Sequence, residues 1–567
     1  MPHATLAAFR SALFVVPLAL GGAAFGAVLH VPGDHPTITA ALQASNDGDE
    51  IVVAPGVYTN AGLPIWSSAN TGGHALKIRS SDGPAVTILD GEGVRRVVEL
   101  FAGEDSSTTL EGFTLRNGAF ATNWGGAAIF LGAAPMVVNC VFETSSAAYG
   151  GAVANYESGS AVFIGCEFRG NQAEAMGGAV ANFDASPVFM DCVFEDNHAG
   201  GGAIFSEGGG AAHRLSEATY IGCVFEGNSA QDGGGVHVRN DSAVTLIDCV
   251  LLDNLATTSS GGGVRSTLDS VVNAAGCRFL GNRSSTWGGG IMSSFSTSVW
   301  LVNCEFSGNR AGLDFTRSGG GMYTQSHTGA VEVLNCVFSG NMASSGTGAG
   351  WHAAMDAAVT QANNIFWGNL GGFGFKGFEP TRDENDQVSL VSATVVYSGH
   401  CVIDQYAATP GAGHIGADPL LMDPLGPDGM VGTIDDDLRV MAGSPAIDAG
   451  DNGALPADAL DLDGDLDTAE QLPVDAAGNM RRADDPSAPD TGAGAAPIVD
   501  IGAYEAPGAP ACPTDLDGDG DTDFGDLNIV LGAFNTSGAG LPGDVDGDGD
   551  VDFADLNSVL GVFNTEC

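Results

Sequence analysis

The chain has 567 residues, of which 85 are glycine, and this length predicts more than one domain. Asp and Glu number 69 against 19 Lys and Arg, which gives a formal net charge of −50. Such a charge argues against nucleic acid or an anionic membrane as partner, because both would repel the protein, and it suits calcium.

Residues 1–27 have the pattern of a secretory signal peptide. Arg10 precedes an apolar run, and small residues follow it around Ala24 and Gly26. No later stretch is long and apolar enough to span a bilayer. We therefore expect a mature chain that is exported, without a membrane span, and either secreted or held at the cell surface as a monomer.

One phrase, Cys-x-apolar-x-x-Asn, recurs through the middle of the chain. Cys166-Glu-Phe-Arg-Gly-Asn171 is a clean copy, and glycine clusters such as Gly177-Gly178 lie between copies. Successive cysteines are 26 to 32 residues apart, and a period of this size is typical of a solenoid. The copies begin at Cys140, where Ser145 replaces the closing Asn, and at Cys166, Cys192, Cys223, Cys249, Cys277, Cys304 and Cys336.

The pattern inside one repeat predicts short strands. Ile164, Cys166 and Phe168 alternate with other residues, so we expect one strand with these three facing inward. Short strands and turns without a helix indicate one coil of a parallel β-helix, in which coils stack at roughly 4.8 Å. Like residues then form internal ladders. The closing asparagines are expected to mark turns in the left-handed backbone region: Asn171, Asn197, Asn228, Asn254, Asn282, Asn309 and Asn341.

The ladder cysteines are expected to point inward as free thiols. Buried Cys behaves as a small hydrophobe, and parallel Cβ directions fit disulfide geometry poorly. Stacked neighbours would still lie near disulfide distance, so bonds between them remain the alternative. The spacing does not fit a zinc site.

The N-terminal segment predicts a short amphipathic helix with Ile38, Ala41 and Leu42 on one face, followed by a strand. Such a helix would close the open end of a solenoid. The segment resembles the start of the pectate-lyase-like superfamily of right-handed β-helices, and the later coils resemble its polymorphic outer-membrane-type repeats. This resemblance implies an all-β, right-handed parallel β-helix over residues 28–400 with an N-terminal cap.

Residues 401–506 are richer in Asp and Pro, and they resemble the closing segment of secreted bacterial β-helix proteins. We expect an acidic C-terminal cap. It contains two acidic loops, 428–437 and 461–467, that are either calcium loops or solvated turns. The second loop offers Asp461, Asp463, Asp465 and Asp467, with Leu466 where a calcium loop prefers Gly.

After a linker at 507–511, residues 512–567 contain a duplicated acidic loop, and each copy precedes a short amphipathic helix. The apolar faces expected to pack against each other comprise Leu527, Val530, Leu531 and Phe534 in the first helix and Leu556, Val559, Leu560 and Phe563 in the second. Each loop has carboxylates at positions 1, 3, 5, 9 and 12 and Gly at position 6, which is the EF-hand arrangement for calcium. We expect two Ca²⁺ ions, with the backbone carbonyls of Asp521 and Asp550 as the position-7 ligands. The predicted ligand residues are Asp515, Asp517, Asp519, Asp521, Asp523, Asp526, Asp544, Asp546, Asp548, Asp550, Asp552 and Asp555.

Two loop–helix units with Asp at position 12 resemble a type I dockerin. This resemblance implies a cohesin-like partner or surface scaffold. The chain departs from the family at loop positions 10 and 11, where Phe524-Gly and Phe553-Ala stand, and no Lys or Arg follows in either helix. We expect Cys512 and Cys567, at the two ends of the unit, to form a disulfide in an oxidising compartment.

No motif fixes a catalytic set. A stripe that follows the inward Val or Ile residues is a candidate carbohydrate-binding face, or an ordinary solvent-facing stripe. Asp191 and Asp248 face outward two coils apart and are either a hydrolytic pair or solubilising charges. Two functions remain open: a non-catalytic adhesive or carbohydrate-binding scaffold, and a polysaccharide lyase or glycoside hydrolase. The stripe comprises Phe205, His237, Arg265, Met292, Tyr323 and His352.

Overall fold

The structure is a computed structural model, and it describes most of the chain after residue 25. Up to residue 506 it omits 60–65, 68–72, 102, 201–205, 313–316, 326–327, 345–346, 373–383, 391–392, 408 and 410. Beyond 506 it describes 514, 516, 521–522, 524–537, 541, 543, 545, 550–563 and 565–566. The cleavage region before Gly26, the linker, Phe205 and the Cys512–Cys567 pair lie outside the described residues.

Four parallel sheets wind into a solenoid, and every pairing within them joins strands of neighbouring coils. Sheet 1 comprises Val28–Val31, Glu50–Val53, Lys77–Ser80, Thr109–Glu111, Met136–Val138, Val162–Ile164, Val188–Met190, Glu217–Ile221, Ala243–Ile247, Val271–Ala275, Ser298–Val302, Ala330–Leu334, Ala358–Ala362 and Thr394–Gly399. Sheet 2 comprises Gly56–Tyr58, Thr87–Asp90, Thr114–Arg116, Val141–Glu143, Glu167–Arg169, Val193–Glu195, Val224–Glu226, Val250–Leu252, Arg278–Leu280, Glu305–Ser307, Val337–Ser339, Ile365–Trp367 and Val402–Ile403.

The other two sheets complete each coil. Sheet 3 comprises Ala119–Trp124, Ser146–Tyr149, Gln172–Met176, His198–Ala199, Ser229–Ala230, Leu255–Ala256, Arg283–Ser284, Arg310–Ala311 and Met342–Ala343. Sheet 4 comprises Trp66–Ser67, Val98–Leu100, Ala128–Leu131, Val153–Tyr156, Val180–Phe183, Ala211–Arg214, Val236–Arg239, Val264–Thr267, Ile291–Ser294, Met322–Gln325, Trp351–Ala354 and Val388–Ser389. The parallel β-helix predicted from the repeat period is confirmed.

The predicted single strand around Cys166 is in fact two strands with a bend between them. Gly165, at φ +59°, separates a sheet 1 strand from a sheet 2 strand. The left-handed residue shifts the alternation by one position, so Phe163 is buried and Ile164 is only half-buried. The expectation that Ile164 faces the core was therefore wrong, whereas Cys166 and Phe168 are buried as predicted.

The asparagine ladder is buried and hydrogen-bonded rather than placed in left-handed turns. The left-handed residue is the one before each Asn, as in Gly170 and Asp196. The side-chain nitrogen of Asn171 donates to the carbonyl of Phe142 at 2.9 Å and to Oδ1 of Asn197 at 3.0 Å. An amide satisfies both donors and acceptors inside the turn, which Gly cannot do, and this explains why Asn recurs here.

The cysteine ladder lies at the corner between sheets 1 and 2. The paired strands on either side are in register, so the cysteines of successive coils stack. Each thiol donates to backbone carbonyls, as Cys192 does to Phe163 at 3.6 Å. The predicted free, buried thiols are confirmed for all eight, and Cys401 joins them. Phenyl rings stack alongside: the centroids of Phe168 and Phe194 are 4.7 Å apart.

Helix α1, Ile38–Ala44, buries Ile38, Ala41 and Leu42 against the first coils, as predicted. Thr37 caps it by accepting from the backbone of Ala40. A short helix α2, Glu384–Gln387, precedes the last strand of sheet 4. Among the described residues, none of the helices has the length and apolar composition that a bilayer crossing needs.

Residues 421–506 pack against the side of the last coils, whereas the sequence suggested a cap over the end. Tyr504 donates to Glu305 at 2.8 Å, and Arg278 donates to the carbonyl of Ile434 at 3.1 Å. Apolar residues of this segment cover outward positions such as Val302. Where the structure describes the chain beyond the last sheet strands, only the pairing of residues 412 and 415 with 399 and 402 continues the solenoid axis. Leu421–Asp423 and Asp437–Val440 form an antiparallel pair, and Asn452–Ala454 is a 3₁₀ turn.

The C-terminal unit has two helices, α3 at Phe524–Ala533 and α4 at Phe553–Gly561. Val530 and Val559 are buried between them, but Leu531 and Leu560, predicted on the same buried faces, are about half exposed (51% and 49%). Each short helix contacts its neighbour along a narrow stripe only, which leaves these leucines outside it. Two antiparallel pairs join Asp521–Thr522 to Thr565–Glu566 and Thr536–Ser537 to Asp550–Val551.

Candidate functional site

The outer face of sheet 4 is partly covered by the residues that precede each glycine cluster. These residues stack from coil to coil through backbone hydrogen bonds, because each glycine nitrogen donates to the residue one coil further on. The second position of each sheet 4 strand points toward them. The pre-glycine ladder runs Trp124, Tyr149, Met176, Glu207, Asp232, Ser260 and Trp287.

Glu207 is the centre of a charged cluster on this face. Its Oε2 lies 3.4 Å from Nδ1 of His237 and 3.5 Å from a guanidinium nitrogen of Arg214, and its Oε1 pairs with Arg239. Asp232, one coil on, lies 3.9 Å from Nε2 of His237. The imidazole thus lies between two carboxylates, although neither ring nitrogen makes a well-aligned hydrogen bond.

The cluster contains more arginine than carboxylate side chains, which is unusual in a chain with a net charge of −50. Burial alone would raise the pKa of Glu207, but the nearby His237 and the charges of Arg239 and Arg214 lower it to about 2. Arg265 adds a further contact, 3.3 Å from Asp232. Three guanidinium groups therefore face two carboxylates, so the surroundings favour an anionic ligand.

Aromatic side chains adjoin the cluster on the N-terminal side. Tyr156, Phe183, Arg214 and Arg239 occupy paired positions on four successive strands of sheet 4. The ring of Trp124 stands edge-on to Phe183, with centroids 4.2 Å apart. All are half-buried. Successive strands are roughly 4.8 Å apart, so this row of rings and guanidinium groups extends for roughly 14 Å.

The stripe predicted as a carbohydrate-binding face forms a ladder of side chains on sheet 4, but most of these side chains are buried. His237, Arg265, Met292, Tyr323 and His352 pair in register on consecutive strands. The first four are buried, and His352 is half-buried. They do point away from the core, but the pre-glycine residues lie over them, which the strand alternation could not reveal. The last two rings stack with centroids 5.2 Å apart.

Sequence reasoning missed Glu207, Asp232, Arg214 and Arg239. A signal was present, because an acidic residue immediately precedes the glycine cluster in two consecutive repeats. Arg239 stands two positions after His237, whereas Arg214 lies in the strand Ala211–Arg214, in which no residue was predicted for the stripe. Asp191 and Asp248 are exposed corner residues with left-handed backbone, and nothing joins them to this cluster.

A shallow cavity of about 330 Å³ lies between the outer face of sheet 1 and residues 421–506, which we call the lateral segment. Trp300 and Glu332 contribute from the sheet, and Leu460 from the segment. Its lining includes one carboxylate, that of Glu332, and no cationic side chain. It therefore has fewer groups that could bind or transform a charged ligand than the cluster around Glu207.

The two predicted acidic loops differ. In 428–437, Asp436 is buried and accepts from Ser307 at 2.7 Å, and no group of carboxylates forms among the described residues there. In the second loop, carboxylate oxygens converge in two overlapping groups. Asp467 belongs to neither of them, while Asp458 and Glu470, not predicted, join. The groups are Asp458, Asp461 and Asp463, and Asp463, Asp465 and Glu470.

In the C-terminal unit, the position-12 residues Asp526 and Asp555 are buried. Asp555 accepts from the backbone of Val545 at 2.7 Å and of Asp552 at 2.8 Å, and Asp526 accepts from Leu516. Each carboxylate thus ties its loop to the following helix. Asp550 and Asp552 are described, and Asp521 only as backbone. Asp515, Asp517, Asp519, Asp523, Asp544, Asp546 and Asp548 lie outside the described residues.

Comparison with known proteins identifies the solenoid. A pectate lyase crystal structure is similar at 11% identity and a TM-score of 0.34, over 85% of this chain and 97% of that one. An alginate lyase in complex with a trisaccharide is similar at 13% identity and 0.24, over 55% and 86%. Both TM-scores lie below 0.5, so neither likeness bears on what this protein does. No curated protein matches. The family described as "Right handed beta helix region" matches residues 61–251 and 216–378, more than half of the chain, which therefore belongs to the right-handed β-helix family.

Proposed function

We propose that this protein is an exported β-helix that binds an acidic polysaccharide along the outer face of sheet 4. The observation that supports this most directly is the row in which Tyr156 and Phe183 are followed by Arg214 and Arg239. Rings offer flat apolar contact, and guanidinium groups offer paired donors to carboxylates. A chain of uronate residues presents both kinds of surface in alternation.

The exposure of the charged residues favours binding over catalysis. The side chains of Arg214 and Arg239 are 35% and 25% exposed, so a ligand can reach them. His237, the group best placed to move a proton, has a side chain only 1% exposed. A general base must come within hydrogen-bond distance of the proton that it removes. A buried imidazole beneath two arginines fits the role of holding Glu207 better than that of attacking a sugar.

A second candidate is a polysaccharide lyase acting at the same place. The placement of His237 between Glu207 and Asp232 is the observation that favours it. In a β-elimination the base takes the proton next to the uronate carboxylate, the bond to the leaving oxygen breaks, and the electron pair forms a carbon–carbon double bond. Arg214 and Arg239 would neutralise the carboxylate, and a proton would pass to the leaving oxygen.

Arginine variants test the binding proposal. We expect Arg239→Ala and Arg214→Ala each to weaken binding of polygalacturonate or alginate by about tenfold or more, since a charge-assisted hydrogen bond contributes about 1.5–3 kcal/mol. Arg169→Ala is the matched control, because its side chain is 44% exposed on sheet 2 and pairs with Glu167 and Glu143. An equal loss in the control, or no binding of any acidic glycan by the parent, would contradict the proposal.

Glu207→Gln separates the two candidates. In a binding protein the substitution frees Arg214 and Arg239 from their carboxylate, so affinity for the acidic glycan should rise. In a lyase it removes the partner of His237, so the release of unsaturated product, followed by ultraviolet absorbance, should fall even though the glycan still binds. A parent protein that releases no unsaturated product from any uronate polymer excludes the second candidate.

Calcium and attachment complete the proposal. We infer that residues 512–567 bind two calcium ions and dock the protein onto a cohesin-like or other surface partner. Phe524 and Phe553, at loop position 10, are 65% and 67% exposed, and Leu531 and Leu560 on the two helices are 51% and 49% exposed. Repeated exposed apolar groups of this kind suit an apolar partner surface. The loop at 461–470 is a further calcium candidate, because buried Asp458 directs an unpartnered oxygen into it.

A further inference from the structure

Three carboxylates converge in the lateral segment, outside the charged cluster around Glu207 and outside the predicted calcium loops. One oxygen from each of Asp448, Asp484 and Asp490 lies within 4.8 Å of the others. Oxygens that share one calcium ion at 2.3–2.6 Å are separated by no more than about 5 Å. The spacing therefore matches the coordination sphere of a single ion.

Asp448 supplies the independent evidence for a ligand. It is completely buried, and neither of its carboxylate oxygens makes a well-aligned hydrogen bond, although the backbone of Asp485 approaches them. Its backbone, in contrast, is fully engaged: the nitrogen donates to Asp500 at 2.7 Å, and the carbonyl accepts from Thr491 and Gly492. The turn is thus held firmly while its side chain is left unsatisfied, an arrangement that is costly without a partner.

No side-chain cation of the protein offers that partner in the described residues. Arg481 donates to the carbonyls of Asp500 and Gly502 and faces Glu505 at 3.7 Å, and Arg482 donates to carbonyls at 495 and 497. Burial, followed by the charges of Asp500, Asp484 and Asp490, raises the pKa of Asp448 to about 7. The carboxylates repel one another, and a bound cation would remove that repulsion.

We propose that Asp448, Asp484 and Asp490 bind a divalent cation, and that the ion is calcium. All three ligands are hard oxygens, and the exposed positions of Asp484 and Asp490 leave one side open for water. Calcium accepts a variable number of oxygens, whereas magnesium demands near-ideal octahedral geometry.

This ion would fasten the lateral segment to the solenoid. The turn that contains Asp448 also contains Ile447 and Ala449, which pack against Val337 and Ile365 on the outer face of sheet 2. Asp484 and Asp490 belong to a separate loop. Linking the two segments through one ion would stabilise the folded lateral segment in proportion to calcium occupancy.

The test uses the full-length protein and counts bound calcium by equilibrium dialysis. Asp448→Asn and Asp490→Asn should each bind one ion fewer than the parent. Asp485→Asn, in the same loop, should bind the same number, because its Oδ1 only accepts from Ser487 and an amide retains that acceptor. Measuring a loss relative to the parent separates this ion from those proposed at residues 461–470 and 512–567.

Thermal unfolding provides a second test, because the difference in unfolding temperature between Asp448→Asn and the parent should change sign when calcium is added. In excess chelator, Asp448→Asn should unfold at a higher temperature than the parent, because the substitution removes a buried, unpaired charge. In calcium chloride the order should reverse. Unchanged calcium counts in Asp448→Asn and Asp490→Asn would overturn the proposal, as would an ion retained equally in magnesium chloride alone. If Asp448→Asn does not fold, the exposed Asp484→Asn and Asp490→Asn variants decide the outcome.

Discussion

The side-chain nitrogen of Asn182 lies 3.2 Å from Nδ1 of His213, directly above it in the core ladder that begins at Asn155. Nε2 of the same imidazole lies 3.1 Å from the hydroxyl of Tyr220. Because the amide donates to Nδ1, the ring is neutral with its proton on Nε2. Burial and the charge of His237 lower the pKa of His213 from 6.5 to about 3.

His213 should therefore make the solenoid sensitive to acid. Between pH 6.5 and 3 the unfolded chain binds a proton that the folded chain does not, so stability is full above pH 6.5 and falls as the pH decreases. By pH 4 the loss from this residue is about 3 kcal/mol. His213→Asn extends the existing amide ladder, so its free energy of unfolding, measured in urea, should depend less on pH. Equal slopes for the two proteins between pH 4 and 6.5 would refute this role.

The asparagine ladder should be costly to interrupt. Asn228 accepts from the backbone and side-chain nitrogens of Asn197 and donates to the carbonyl of Phe194 at 2.8 Å. Asn228→Ala leaves the buried backbone nitrogen of Asn197 without an acceptor, and we expect a loss of about 3 kcal/mol in the free energy of unfolding. Asn273→Ala, at a half-buried outward position of sheet 1, is the control and should change stability little. Similar losses in both variants would contradict the ladder's role.

The stacked thiols should be unreactive while the protein is folded. Burial raises the pKa of the Cys140 and Cys401 thiols to about 12, and these cysteines have no exposed surface. Only the thiolate attacks alkylating reagents or disulfides. A native protein should therefore protect the nine ladder cysteines from a thiol reagent, and denaturant should release all nine together. Rapid labelling of any of them before unfolding would show that the coils open locally.

The sequence allowed the solenoid to be predicted but not the charged cluster around Glu207. A period of 26 to 32 residues forces like residues to stack, so Cys166 and Phe168 could be assigned to the core without coordinates. Ile164 was misplaced because one left-handed glycine shifts the alternation. The cluster depends on how the pre-glycine residues lie over sheet 4, and no local pattern encodes the contact of Glu207 with His237. For the same reason Asp448 and Asp490, 42 residues apart, gave no signal.

Docking through the C-terminal unit should require its exposed apolar residues without depending on them for folding. Phe524 and Phe553 contact Phe563 and Phe534 edge-on, with centroids 5.0 Å apart, but remain about two-thirds exposed. Phe524→Ser combined with Phe553→Ser should leave the helical circular dichroism signal intact in calcium and abolish retention of the protein on cells or scaffold. Retention that persists in the double variant would place the attachment elsewhere.

Calcium removal should unfold this unit while the solenoid persists. Asp555 is buried at the start of α4 and accepts from Val545, so its charge stays within the loop when no ion is present. Excess chelator should therefore reduce the helical signal, to which α3 and α4 contribute most among the described helices, and calcium should restore it.

Asp555→Asn should raise the calcium concentration needed to restore the helical signal by more than about tenfold, since even indirect changes around a metal cost that much in affinity. Asn557→Ala, exposed on the same helix, is the matched control. A helical signal unaffected by chelator would mean that these acidic loops fold without an ion.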